Sequence, residues 1–334
     1  MVKINVVVPN YNSGKTISKT IASLKDQSFS DFDVTLVDDC SRDDSVLLIK
    51  DLIQNNKNFK LIELPKNSGA SNARNIGSEM SKGEIILFTD SDVMLKRDTL
   101  QRVIKSFKEN PDAHAIVGLP EKESSFHNLA SEHFNLRVYY NYINLPKQIT
   151  ILYTSICAVK RKAFENVKGF NTQMRSEEDP ELGFRLTKAG YKIISYKELS
   201  VFHHKYVSFM GILTNDYKRS VSRTKLMLRE KMMREISKGK SFISTPKDQI
   251  YSALLMPFIW LSIIAGIFFP LVFIITIFLL LIFFKLYFNY LKFISKEIGL
   301  IKSFLFFPLL IIDMTVVDFG VFHGLIKYLT GEHY

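Results

Sequence analysis

From Ile250 to Phe284 the chain carries no charged side chain, and no other feature constrains its fold as strongly. Thirty-five residues rising about 1.5 Å each would make a helix of roughly 50 Å, against about 30 Å of membrane hydrocarbon. One straight span fits poorly. Pro270 sits near the midpoint, in Phe268-Phe269-Pro270-Leu271, where a turn would divide the stretch. Two helices over about 250–269 and 271–291 satisfy the length, with the Lys285 ammonium reaching up to the surface. This hairpin returns Lys285, Lys292, Lys296 and Lys302 to the side from which the chain entered, as the positive-inside rule requires. Residues 303–326 are long enough for a third span but contain Asp313, Asp318 and His323. A central carboxylate costs about 2.5–3.5 kcal/mol on insertion scales. Gly320 and Gly324 have the small-residue spacing of close helix packing. We read this segment as a third span, with an interfacial helix as the alternative.

The remaining 249 residues read as a water-facing protein, and their charge points to the same membrane. Basic residues exceed acidic ones by 44 to 33. Between Lys205 and Lys240 the chain has ten Lys or Arg and three acids, just before the uncharged run. Cations beside a hydrophobic anchor suit an anionic bilayer surface, and no nucleic-acid partner is expected. Residues 208–238 read as a helix with Leu213, Tyr217, Val221, Leu228 and Met232 near one face. Arg219, Arg223, Arg229 and Arg234 lie on the other. Such a helix can rest on lipid or pack on its own domain with a solvated basic face, and both readings stay open. Cys40 and Cys157 have no metal-ligand spacing and read as reduced thiols. Ile4–Val8 is too short for a signal-peptide core, so the N-terminal part is expected in the cytoplasm of an integral membrane protein.

Near the N-terminus, short β-branched runs alternate with helical periodicity. Asn5–Val8, Val34–Val37, Lys60–Leu64 and Glu84–Phe88 read as strands, and residues 14–27, 44–54 and 70–80 as helices. This alternation implies a parallel, doubly wound sheet, whose ligands bind at the carboxyl ends of the strands. Four polar clusters fall there: Pro9–Gly14, Asp38–Asp44, Asn67–Asn75 and Asp90–Asp92. Further on, Ile149–Val159 reads as a strand, Glu181–Ala189 as a helix, and Lys192–Ser195 and Ser200–Phe202 as two strands. The expected division is residues 1–207 as a catalytic domain, 208–249 as a basic juxtamembrane region, and 250–334 as the membrane region.

Asp90-Ser91-Asp92 ends the fourth expected strand. Two carboxylates one residue apart can face a divalent cation and the ribose of a nucleotide, and hard oxygen ligands suit Mg2+ or Mn2+. Alone the pair is a common surface motif. Its company is not: Val6-Val7-Val8-Pro9-Asn10-Tyr11-Asn12, Val37-Asp38-Asp39-Cys40-Ser41, and Asn67-Ser68-Gly69-Ala70-Ser71-Asn72-Ala73-Arg74-Asn75 precede it in order. From about residue 3 to 204 the chain resembles family 2 glycosyltransferases, whose GT-A fold is a doubly wound mixed α/β sheet. The resemblance implies an inverting hexosyl- or N-acetylhexosaminyl-transferase using a nucleotide-diphosphate sugar and Mn2+ or Mg2+. It assigns Pro9, Tyr11, Asn12 and Ser91 to the nucleotide-sugar pocket. Asp39 would accept from the base, usually uracil, and Arg74 would lie near base or diphosphate. Asp90 would hold ribose or metal, Asp92 would ligate the metal, and His203 is a further candidate ligand ahead of His204.

Glu177-Glu178-Asp179-Pro180-Glu181 resembles the family's Glu-Asp motif, which assigns the catalytic base to Asp179 with Glu178 in support. The same acids also suit the start of a helix. Glu177 departs from the family, which often has Gly there, and could narrow the acceptor pocket or raise the base's pKa. Ser13-Gly14-Lys15-Thr16 resembles the end of a phosphate loop, but Pro9 stands where its first glycine belongs. The Gln-x-x-Arg-Trp signature of processive synthases is missing, so a single addition is expected. The acceptor would be a hydroxyl at the cytosolic membrane face, on a lipid-linked glycan among others. The alternatives are a synthase of polyprenyl-phosphate sugars and a catalytically silent nucleotide-sugar-binding membrane protein.

Overall fold

The computed structural model describes residues 3–123, 125–232 and 247–334. Its described residues form two compact units, one ending at Tyr206 and one beginning at Val207.

The first unit opens with β1 (Ile4–Asn10), α1 (Ile17–Lys25), β2 (Phe32–Asp38), α2 (Ser45–Ile53), β3 (Phe59–Glu63), α3 (Ala70–Glu79) and β4 (Ile85–Thr89). β1 pairs in parallel with both β2 and β4, and β2 with β3. Val6, Val7 and Val8 are all fully buried, because helices cover both faces of a central parallel strand. Val6 and Val8 pack toward Ile21, Leu24 and Ile49 on one face. Val7 joins Ile86, Phe88, Phe164 and Phe170 on the other. Alternation of β-branched runs with amphipathic helices therefore builds the half-sheet expected of it.

The chain continues through β5 (Val93–Leu95), α4 (Thr99–Glu109), β6 (Ala113–Pro120), α5 (Leu129–Ile143), β7 (Gln148–Ile149), β8 (Ile156–Lys160), α6 (Arg161–Asn166), α7 (Glu178–Lys188) and β9 (Lys192–His203). The strand order is β3-β2-β1-β4-β8-β6-β9-β5, with β7 beside β9. β8 runs antiparallel to β4 and β6, so the sheet is mixed. Two expected elements differ. Ile149–Val159 is two strands, because residues 151–154 pack against α7 instead of pairing: a Cβ on Gly183 would lie 2.5 Å from the Ile151 Cα. The two strands expected over 192–202 are one continuous strand, β9, which absorbs its polar middle by a register shift opposite Val117 and Leu119.

The second unit contains α8 (Phe209–Arg229), α9 (Lys247–Phe268), a 3₁₀ turn at Pro270–Val272, α10 (Phe273–Ile298) and α11 (Leu300–Leu329). The uncharged stretch does break at Phe269-Pro270, since proline lacks the N–H that helix continuation needs. α9, the turn with α10, and α11 are each long and apolar enough to cross a membrane. α9 and α10 share a hydroxyl bond from Thr276 to Ser262, 2.9 Å, and Trp260 Nε1 donates to Thr315 Oγ1 of α11 at 3.0 Å. The glycine pair of α11 receives α8. A Cβ on Gly320 would meet the Tyr217 carbonyl oxygen at 2.8 Å, and one on Gly324 the Val221 carbonyl oxygen at 2.7 Å. Tyr217 and His323 are hydrogen-bonded alongside. α8 ends at Arg229, short of the expected 238, with Glu230 as its C-cap and Lys231 at a left-handed φ of 52°; residues 233–246, Arg234 among them, lie outside the described residues.

Candidate active site

The carboxyl ends of β1, β2 and β4 meet in a cleft of about 460 Å³, lined among others by Pro9, Tyr11, Asp39, Arg74, Asp90, Ser91, Asp92 and His203. At the β1–β2 end, buried Asn10 donates to Asp38 Oδ1 at 2.6 Å, and Asp38 Oδ2 accepts from the Ser41 N–H. Asp38 thus makes the Asx turn, while Asp43 accepts from the Ser45 N–H at the start of α2. Asp39 is left to face the next loop. It accepts from the N–H groups of Ser68 at 2.7 Å and Gly69 at 2.8 Å, one per carboxylate oxygen. The Ser68 hydroxyl donates to Oδ1 as well, at 3.1 Å, and a carboxylate with about four acceptor sites can still accept from a base edge at Oδ2. Tyr11 presents a ring 48% exposed at the cleft wall. Asn12 is not part of the lining; its side-chain oxygen accepts from the Arg42 N–H and braces the loop.

Asp92 and His203 come together because of strand register. β5 pairs antiparallel with β9 so that Val93 faces His203, which brings the preceding residue, Asp92, alongside. His203 Nε2 lies 3.1 Å from Asp92 Oδ1, and the His204 N–H donates to the Asp92 carbonyl at 2.7 Å. Burial pushes the Asp92 pKa up, but His203 and then Lys205 outweigh it and hold the carboxyl below its usual value. His204 turns elsewhere: its ring stacks on Phe126, and its Nε2 pairs with the Lys19 ammonium at 3.1 Å.

Arg74 lines the cleft, with its guanidinium engaged by protein carboxylates. Its side chain is 5% exposed, with Nη2 donating to Asp90 Oδ1 at 2.9 Å and Nη1 to Glu178 Oε1 at 2.8 Å. Its guanidinium also lies over the Phe170 ring at 5.5 Å. Both ends of the fork are occupied by carboxylates, which hold its pKa above the ordinary arginine value despite burial. α3 is thereby tied to the end of β4 and to the first turn of α7.

α7 begins at Glu178 after Glu177, whose φ of 60° and ψ of 24° are left-handed. That conformation favours glycine, which explains why a glycine would suit this position. Its first turn holds Glu178, Asp179 and Glu181 at the positive end of the helix dipole. Gly183 lets this helix approach residues 151–152, and one turn earlier Asp179 Oδ2 accepts from the Thr154 N–H at 3.4 Å. Neither Glu178 nor Asp179 lines the cleft itself; Glu178 reaches it through Arg74. The lining also includes Asn67, from the third polar cluster, and Arg175 and Lys205, which no sequence motif singled out.

An aspartate and a histidine side by side are suitable oxygen and nitrogen donors for a divalent cation. Among the described residues no cluster of three His, Cys, Asp or Glu side chains occurs that could hold a metal ion by itself.

Residues 5–168 match the family model described as glycosyl transferase family 2. A Haemophilus influenzae protein described as an uncharacterized glycosyltransferase is 26% identical over 233 residues, 64% of this chain and 74% of its own. The poly(ribitol-phosphate) beta-N-acetylglucosaminyltransferase TarS of Staphylococcus aureus is 38% identical over 104 residues, 30% of this chain. That match spans only 18% of the TarS length. Among solved structures, the mannosyltransferase PcManGT from Pyrobaculum calidifontis, in complex with GDP-Man and Mn2+, superposes with a TM-score of 0.60. The likeness covers 98% of this chain and 87% of that one at 18% identity, and is a likeness of fold.

Proposed function

Residues 5–168 make this chain a family 2 glycosyltransferase with the GT-A fold, and from that premise we propose that it transfers one sugar, with inversion, from a nucleotide-diphosphate donor to a hydroxyl. The carrying observation is the convergence of Asp39, Asp90, Asp92 and His203 on one cleft whose wall, through Arg74, is tied to Glu178 beside Asp179.

In this reading Pro9, Tyr11 and Asp39 hold the nucleoside, with a uridine donor first in line, and Asp90 with Ser91 faces the ribose. Asp92 and His203 would hold a divalent cation, Mn2+ or Mg2+, which would neutralise charge on the departing diphosphate. Asp179 takes the acceptor hydroxyl's proton as the new bond to the sugar's anomeric carbon forms and the bond to the diphosphate breaks. Asp179 sits in the first turn of α7, near the Arg74 guanidinium. Asn12 supports the pocket from the loop behind it.

α9 and α10 form a membrane hairpin in this reading, with the catalytic unit at the cytosolic face. A lipid-linked glycan or a surface polymer suits an enzyme held there, and the TarS likeness, whose printed acceptor is a poly(ribitol-phosphate), supports a polymer bearing free hydroxyls. The test is a donor screen on the full chain, following nucleotide release with and without Mn2+ in the presence of membrane lipid extract. Metal-stimulated release that depends on the extract is expected. No release from any donor, with or without acceptor, would sink the catalytic reading and leave a silent nucleotide-sugar binder.

A further inference from the structure

Three cations line the cleft: Arg74, Arg175 and Lys205. Three carboxylates, Asp39, Asp90 and Asp92, line it with them. A donor's diphosphate is multiply negative and must enter beside these acids, so it needs positive charge from somewhere. Arg74 cannot supply it freely, since Asp90 and Glu178 occupy both ends of its guanidinium. That leaves the other two.

Lys205 follows His203 by two residues, is exposed in the cleft, and is close enough to Asp92 to lower that group's pKa. Among the described residues no hydrogen bond or ion pair engages its ammonium. Arg175 belongs to the segment before α7 and stands at the other cluster of the cleft. Its Nη1 lies 3.4 Å from Asn67 Oδ1, and over Gly69 so closely that a Cβ there would meet it at 2.6 Å. Gly69 is the residue whose N–H binds Asp39. Arg175 therefore overhangs the loop that Asp39 organises, and Lys205 stands beside Asp92 and His203.

We propose that Lys205 binds the diphosphate of the donor and Arg175 closes over its nucleoside, a division of labour that rests on reading this cleft as the nucleotide-sugar site. An ammonium is a compact point charge suited to phosphate oxygens, whereas a guanidinium offers a flat face to a base and a fork to its edge. The diphosphate then has a protein cation in addition to any metal held by Asp92 and His203. Preference for a diphosphate over a monophosphate should in part survive removal of the metal.

Calorimetric titration of the full chain in detergent, with UDP and UMP and in parallel GDP and GMP, tests this in excess chelator and again with Mn2+. In chelator the wild-type chain should bind one diphosphate about tenfold or more tighter than its monophosphate, as a charged hydrogen bond implies. Lys205→Ala should erase that ratio while leaving monophosphate affinity unchanged, and Lys205→Arg should restore most of it. Arg175→Ala should weaken diphosphate and monophosphate by the same factor. Unfolding midpoints matching the wild type keep a folding defect from imitating either result. An unchanged ratio in Lys205→Ala, or unequal losses in Arg175→Ala, would overturn the assignment while leaving the cleft a nucleotide site. If the wild-type chain bound none of the four nucleotides, with Mn2+ or without, the assignment and the reading beneath it would fall together.

Discussion

Asp90 and Glu178, on opposite sides of the cleft wall, accept from the two ends of a single buried guanidinium, that of Arg74. The donor-side carboxylate and the helix that carries Asp179 are thus held at a fixed separation by one side chain. Arg74→Lys offers one ammonium where two separate carboxylates must be reached. Its expected signature is a fall in kcat of at least about tenfold with little change in nucleotide affinity, as loss of an interaction that positions the reacting groups should give. Arg74→Ala leaves two carboxylates facing an empty site and should cost about 3–5 kcal/mol of stability, measured by denaturant unfolding of the solubilised chain.

Asp179→Asn separates the two acceptor chemistries. A hydroxyl acceptor needs a base, and removing one typically costs about 10²–10⁴-fold in turnover. Nucleotide binding should be untouched, because Asp179 does not line the cleft. Substantial residual turnover would instead favour a phosphate acceptor, such as a polyprenyl phosphate, which is already ionised.

Chelation should stop turnover, and added Mn2+ should restore it. In His203→Ala the remaining donor at that position is Asp92, 3.1 Å away in the native chain. The Mn2+ concentration for half-maximal activity should rise, with the maximal rate at saturating metal much less affected. A variant with the native metal requirement would remove His203 from the ligand set.

Glu121 provides a pH test independent of the cleft. Burial pushes its pKa up, but hydrogen bonds from Lys96 and Ser200 outweigh that and hold it below the ordinary 4.5. A folded-state pKa below the unfolded one means stabilisation is fully present above pH 4.5 and is lost as pH falls through the folded value. Glu121→Gln should therefore be less stable than the wild type near neutrality, and the gap in unfolding midpoints should close on acidification. A gap that widens toward low pH would contradict the direction of the shift.

Much of the first half-sheet was legible because its strands are β-branched runs, each ending at a polar cluster, and central parallel strands are buried on both faces. The break at Pro270 was legible for the same kind of reason, a residue whose backbone chemistry admits few alternatives. Residues 151–154 were misread because an apolar run packed on a helix and one paired in a sheet have the same composition. β9 was split in two because a register shift tolerates Lys197 and Glu198 inside a strand, and periodicity has no term for that. Arg175 and Lys205 left no local pattern at all. A lone cation in a loop acquires its meaning only when the fold delivers it to a cleft. Arg74 lay within the motif, yet its two carboxylate partners are 16 and 104 residues away.

The notches at Gly320 and Gly324 reach beyond packing, to a question of parity. They seat α8, which carries Lys218, Arg219, Arg223, Lys225 and Arg229 and so cannot lie in hydrocarbon. α8 starts six residues after His203, so under the proposed topology it would share the side of the bilayer on which the proposed transfer takes place. If α9 and α10 go out and back, α11 both departs from that side and finishes on it. A cysteine placed after Tyr334 should then react with an impermeant thiol reagent only in inside-out vesicles. Labelling in intact cells would mean an odd number of crossings. Two missing side chains would then fix on which side of the bilayer α11 finishes, and with α8 seated on them α11 would not be a crossing helix.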